Sequence, residues 1–222
     1  MKCTVFVTAL FVVYVVTIGV DGAKDDHVYL MEVKLPTLEE RGEDIEIYHI
    51  NQFLGSSSGV NDIYRFKIIG EPRAIAILKV QNACSWNRLT TTFVQMGEDF
   101  YVTSLYEGES LADDLGVNET LIGEGPSGFP DSNLYFIDVT FAPGKTTPTV
   151  LHSVTEKILN LRAEDTRLAF YKILGQVPAR ILVFATLLPS KADSLHTTFN
   201  CTDVCNMKLT AIQNLNTYIS NC

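Results

Sequence analysis

The sequence predicts an α+β fold built from two tandem ferredoxin-like units, each running β-α-β-β-α-β. Three observations predict it. "YLMEV" at Tyr29–Val33 is written again as "YFIDV" at Tyr135–Val139. At that same offset "LTTTF" (Leu89–Phe93) falls on "LHTTF" (Leu195–Phe199) and Pro72 falls on Pro178. "FKIIG" (Phe66–Gly70) meets "YKILG" (Tyr171–Gly175) one residue early, so a single insertion near Val177 restores the register. Spacing held over a whole unit marks an internal repeat rather than two strands that happen to look alike.

The chain opens on "MKCTVFVTALFVVYVVTIGVDGAKDD": one Lys, an apolar run, then small and charged residues. That is the layout of a secretory leader, residues 1–22, with cleavage after Gly22. The apolar run is short of the roughly 20 residues a membrane span needs, so the mature product is expected to be secreted, extracellular and free of the membrane. In an oxidising compartment the cysteines beyond the leader, Cys84, Cys201, Cys205 and Cys222, are expected to form two disulfides, with three connectivities open. Asn118-Glu-Thr and Asn200-Cys-Thr are glycosylation sequons.

Unit one spans 27–107. Its first phrase alternates, Tyr29, Met31 and Val33 on one face and Leu30, Glu32 and Lys34 on the other, so it is a strand. Leu38 to Leu54 follows as a helix, although Gly42 weakens the pattern, and "GSSSG" is a loop. "IYRFKIIG" turns through Gly70-Glu-Pro72 into "AIAILKV", a hairpin. A short helix covers Ser85–Val94, and "FYVTSLY" ends the unit. Residues 108–132, rich in Gly, Pro and acids, read as a linker. Unit two, 133–222, repeats the order. Val150, Leu151, Val154, Ile158 and Leu161 recur at helical spacing behind "TTPT", which offers capping hydroxyls and an early proline. The hairpin passes through Gly175–Pro178, the second helix covers Lys191–Asn200, and "MKLTAI" is the last strand.

Net charge is −9 in 222 residues, with 17 Lys and Arg against 26 Asp and Glu. Nucleic-acid binding needs clustered basic residues, so that class is set aside. The carboxylates are scattered, which speaks against an acidic mineral-binding tract. GxGxxG, P-loop, GxSxG and HExxH motifs are missing, and the four histidines His27, His49, His152 and His196 have no partner at metal spacing. No metal and no cofactor is expected.

"MEVKLP" followed by "FKIIGEPRAIAILKV" and "LTTTF" resembles the muconolactone isomerase-like group of dimeric α/β barrels. Asp138, Tyr171, Lys172 and Gly175 hold the same pattern in unit two. Secretion, cysteines and tandem fusion depart from the group. The resemblance implies that two ferredoxin-like sheets pair face to face, here as an intramolecular dimeric α/β barrel and a monomer with an internal pseudo-two-fold. The physical need agrees, since a sheet with helices on one face must have its other face covered.

In that arrangement Glu32 and Asp138 face a shared interior, where a desolvated carboxylate is a candidate proton shuttle. The competing reading pairs each acid with a lysine or leaves it at a solvated mouth. Lys67 and Lys172, at matching places, are candidate anion clamps or edge-strand lysines. Lys34, Phe66, Phe136 and Tyr171, with Tyr101, are candidate ligand-lining residues. Trp86 reads as core or disulfide packing. The function expected is a secreted, glycosylated small-molecule-binding protein enclosing a small, largely apolar ligand between its repeats. The alternatives are a cofactor-free isomerase or lyase with Glu32 or Asp138 as base, and an extracellular structural or interaction protein with a filled barrel.

Overall fold

Alternation along the first strand decides what lies on each side of the wall. The computed structural model describes residues 27–35, 43–164, 166–199 and 203–221. The leader, Asn200, Cys201 and Cys222 lie outside the described residues, as does the start proposed for the first helix. β1 (His27–Lys34) turns Val28 and Leu30 inward and Met31 and Val33 outward beneath helices. It is followed by α1 (Glu43–Ser56), β2 (Val60–Ile68), β3 (Arg73–Val80), α2 (Ala83–Met96) and β4 (Asp99–Glu107). After α3 (Gly108–Asp114) and a 3-10 turn at Glu119–Leu121 come β5 (Leu134–Phe141), α4 (Pro148–Ala163), β6 (Leu168–Ile173), β7 (Arg180–Thr186), α5 (Pro189–Phe199), β8 (Cys205–Asn214) and α6 (Leu215–Asn221).

The strands pair antiparallel in the order β1-β3-β2-β8-β5-β7-β6-β4 and the last closes on the first. This corrects the expected fold class. Two tandem ferredoxin-like repeats forming an intramolecular dimer would leave each sheet with its own edges. Instead the described residues form one closed eight-stranded barrel with six helices. The seams are β2 with β8, where Ile68 faces Ile212, and β4 with β6, where Leu105 faces Ile173. Open edges carry unpaired N–H and C=O groups, and these two ladders satisfy them. Apolar alternation along a strand reports its faces and is blind to what lies beside it.

Three apolar layers result. Leu30, Phe66, Ile77, Phe136, Tyr171, Leu182 and Phe184 are among the side chains that fill the barrel. Outside the wall, Met31, Ile47, Leu54, Leu89 and Phe93 pack under α1 and α2, and Val139, Ile158, Phe170, Leu195 and Phe199 under α4 and α5. The helices begin where the chain offers caps. The Asn82 side chain accepts from Ser85 N at 2.9 Å, and Thr147 accepts from Val150 N ahead of Pro148. Gly97, at φ 75°, takes the left-handed turn that ends α2. Tyr29 and Trp86 stack at 4.8 Å between ring centres, so the lone tryptophan fastens α2 to the wall.

The segment expected to be a plain linker is structured. α3, which continues from β4, does not cover its own half; it packs on α4 and β6, with Leu111 and Ala112 buried among the residues under α4. α6 does the reverse, packing on α1 and β2 through Leu215, Tyr218 and Ile219. No helix among the described residues is long and apolar enough to cross a membrane.

Candidate functional site

Four of the strands that fill the barrel carry a charge two residues beyond an inward apolar side chain. Leu30 gives way to Glu32, Ile75 to Arg73, Phe136 to Asp138 and Leu182 to Arg180. These four share one mouth of the barrel. Arg73 Nη1 donates to Glu32 Oε2 at 2.6 Å, and Arg180 donates to Asp138 through Nη2 and, at 3.1 Å, through Nε. The two pairs occupy matching ladder positions. Lys34 stands opposite Arg73 with Glu32 opposite Ile75; Thr140 stands opposite Arg180 with Asp138 opposite Leu182. Thr140 Oγ1 also donates to Asp138 Oδ1.

The β2–β3 turn adds Glu71. Its carboxylate takes Arg73 Nη2 at 2.9 Å through one oxygen and Lys208 Nζ at 3.2 Å through the other. Burial alone would raise the Glu71 carboxyl, but Lys208 and Arg73 outweigh it and hold it below its ordinary value. Arg180 is raised, chiefly by its hydrogen bond to Asp138, with Glu32 among the smaller causes, so the two pairs feel each other across the opening. One donor is left over. The Nε–H of Arg73 is buried and has no acceptor among the described residues.

Packing fills the space below this mouth. Phe66, Phe136 and Phe184 stack at 5.2 and 5.3 Å, with Tyr64 and Tyr171 against them. The far end is closed by the strap ahead of β5. Phe129 enters the barrel 5.0 Å from Tyr64, the Tyr64 hydroxyl donates to Pro126 O, and Asn214 Nδ2 donates to Phe129 O. Burial, then Glu109, pushes the Tyr64 phenol up to about 12, with Arg162 opposing. An acid raised in the fold stabilises the protein below its unfolded value and loses that contribution as pH climbs. Tyr64 is therefore expected to remain un-ionised past pH 10, the fold weakening between 10 and about 12. Ultraviolet phenolate absorbance read beside circular dichroism checks this. A Tyr64→Phe variant should lack that late step.

The predicted site residues divide. Phe66, Phe136 and Tyr171 are in the interior and Glu32 and Asp138 at the mouth, while Lys34 is exposed at the end of β1. Lys67 points outward and is buried beneath α6, donating to Ile68 O and Glu71 O beside the Tyr218 ring. Lys172 is half-buried on the outer face of β6, and Tyr101, opposite Glu32 on β4, is 70% exposed at the mouth. Cys84 is exposed at the start of α2 and Cys205, at the head of β8, is disulfide-bonded. Asn118 is exposed and caps the 3-10 turn through Thr120 N. Among the described residues no group of His, Cys, Asp and Glu is arranged to hold a metal. Sequence reasoning passed over Arg73, Arg180 and Glu71. The signal was there: "EPRAIAIL" and "VPARILVF" each open an apolar strand on an arginine just after a proline turn.

No protein-family profile and no curated protein matches the chain. Solved structures do match. A putative chlorite dismutase, TA0507, superposes with a TM-score of 0.56 at 10% identity over 88% of this chain and 99% of that one. A tryptophan-to-valine variant of the chlorite dismutase of Candidatus Nitrospira defluvii gives 0.58 at 11% identity, covering 87% and 94%. The same organism's enzyme in complex with imidazole gives 0.52 at 12%, covering 89% and 95%. The fold is that of the chlorite dismutase-like dimeric α/β barrels. At such identities the likeness shows the fold alone.

These neighbours overturn the expected function. The solved chains that share this fold are named as chlorite dismutases, and the expectation of a secreted, glycosylated carrier or an extracellular structural protein does not stand. The interior meant to enclose a ligand is occupied by side chains. The isomerase alternative fails on placement, because Glu32 and Asp138 are ion-paired to arginines at the mouth instead of standing alone inside. A haem does not fit the described residues either. An axial ligand is His, thiolate, Met or phenolate. His27, His49 and His196 are exposed, and His152 lies half-buried on outer helix α4. Met31 and Met207 are packed in the layers under the helices, Met96 ends α2, Cys84 is exposed and Cys205 is disulfide-bonded. Tyr64 and Tyr171, the phenols in the barrel, are both held away from ionisation by burial first.

Proposed function

We propose that this chain is an enzyme that takes a small anion at the charged mouth of its barrel, with Arg73 as the primary contact and Arg180 beside it. The observation that carries this reading is the buried Nε–H of Arg73 without an acceptor. A guanidinium donor removed from water and left unmatched is costly, and an anionic oxygen is the partner its charge favours. Rigid donors aimed at one point in a partly desolvated mouth also stabilise negative charge that grows during a reaction. The neighbours lend support: they are named for an oxyanion, chlorite, and several are variants at an arginine. Export through residues 1–22 is a separate proposal, tested by amino-terminal sequencing of the product from a secreting cell.

The test begins with binding. In protein labelled with nitrogen-15, formate and nitrite titrated at constant ionic strength should move the Arg73 Nε–H resonance saturably. Identical movement with chloride, or none with any anion, would overturn the reading. A turnover screen over small oxyanions and carboxylates follows. Arg73→Ala is expected to lower kcat/KM by about 10²–10³-fold, the usual loss when one oxyanion-stabilising donor is removed.

A further inference from the structure

The two arginine pairs occupy matching positions but are not made alike. On Arg180 the carboxylate of Asp138 straddles the Nε and Nη2 edge, a two-toothed fork. On Arg73 the corresponding acid, Glu32, has moved to Nη1. The Nε/Nη2 edge of Arg73 is touched on one tooth only, by Glu71, which leaves Nε unmatched. Asp138 on Arg180 thus displays, within the same molecule, the kind of group that the Arg73 edge accepts: a flat carboxylate offering two oxygens in one plane.

We propose that Glu71 is the specificity-determining residue of this mouth, an internal carboxylate that an incoming planar two-oxygen anion must displace from Arg73. This rests on the anion-handling reading above and narrows its substrate class to carboxylates and similarly flat oxyanions. A spherical halide offers a single contact and gains nothing over Glu71, whereas a planar anion gains the second tooth.

The geometry lets Glu71 yield without disturbing the wall. Its backbone is anchored, since Glu71 O accepts from Arg73 N at 2.8 Å and from Lys67 Nζ at 2.5 Å. Its side chain is 36% exposed, and both ion pairs it makes are at the protein surface, Lys208 being more exposed still. Surface pairs of this kind contribute little to stability, and one extra charge-assisted hydrogen bond can offset the loss of one. Once Glu71 leaves, Lys208 adds a second positive charge to the newly bound anion. The carboxylate of Asp138 has no such freedom, being held by two guanidinium nitrogens and Thr140, so Arg180 stays closed and each chain takes one anion.

The deciding experiment compares formate affinity in wild type, Glu71→Gln and Glu71→Ala by calorimetry at constant ionic strength, with chloride as the spherical reference. Removing the competitor is expected to tighten formate by about two- to fivefold, the range set by a surface ion pair, with a stoichiometry of one and little change for chloride. Unchanged or weaker formate binding in both variants, while wild type binds, would overturn the role of Glu71 and leave the anion reading standing. A stoichiometry of two would show that Arg180 opens as well and would defeat the asymmetry. No binding in any of the three proteins would remove the anion reading, and this inference with it.

Discussion

Phe184→Ala is expected to cost about 3–5 kcal/mol, the range for truncating a fully buried aromatic. Phe184 sits midway along β7, wholly buried, and its ring meets four others: Phe66 and Phe136 stacked at 5.3 and 5.2 Å, Tyr171 at 6.3 Å edge-on, and Tyr64 at 6.5 Å. Each aromatic pair adds about 0.5–1.5 kcal/mol beyond burial, and all four are lost together. The barrel cannot collapse onto the gap, because its wall is a closed ring of hydrogen-bonded ladders. Urea unfolding should show the midpoint falling by about 2 M for an m-value near 2 kcal/mol per M, with m unchanged. A loss below about 1 kcal/mol would mean that the interior is looser than described. Anion binding at the mouth should survive under native conditions, since Phe184 lies below Leu182 and Arg180 on the strand.

Arg162→Ala comes next in size. This arginine ends α4 and ties four parts of the chain together: Nε to Leu168 O at 3.2 Å, Nη1 to Gly123 O at 2.9 Å, Nη2 to Glu109 Oε1 at 2.6 Å, and its plane 5.9 Å from the Phe170 ring. Removing one member of a largely buried pair costs about 3–5 kcal/mol; because Glu109 keeps some access to water, about 2–4 is the expectation here. A double-mutant cycle with Glu109→Ala should return a coupling of about 1–3 kcal/mol, which mere loss of packing would not give. There is a second readout. Arg162 lowers the Tyr64 phenol while Glu109 raises it, so without Arg162 the late tyrosine ionisation should shift to higher pH still. A downward shift would contradict the charge arrangement at that end of the barrel.

Much of the wall was legible in the sequence, and the reason is local. Period-two alternation in "YLMEVK" and "YFIDVT" places Leu30 and Phe136 inside and Met31 and Val139 under helices, as the structure has them. The caps at Thr147 and Pro148 were legible for the same reason, being written within four residues of what they cap. Closure of the sheet was not, since the ladders of β2 with β8 and β4 with β6 join residues far apart in the chain. The partners of Glu32 and Asp138 were misjudged on the same ground. The lysines nearest in pattern attracted attention, while the arginines across the ladder, Arg73 and Arg180, make the pairs. Phe129 was invisible for a different reason. A lone aromatic in a Gly- and Pro-rich stretch carries no periodicity, yet it is the side chain that closes the far end.

The crossed placement of α3 and α6 has a consequence for how the polypeptide can be divided. Each short helix is made by one half and worn by the other, so a cut at the midpoint strips both pieces of a cover that neither can replace. The first-half fragment, without α6, bares the flank of α1 and β2, and the second-half fragment, without α3, bares that of α4 and β6. The protein is in this sense indivisible: it can be nicked, but it cannot be halved into two self-sufficient parts.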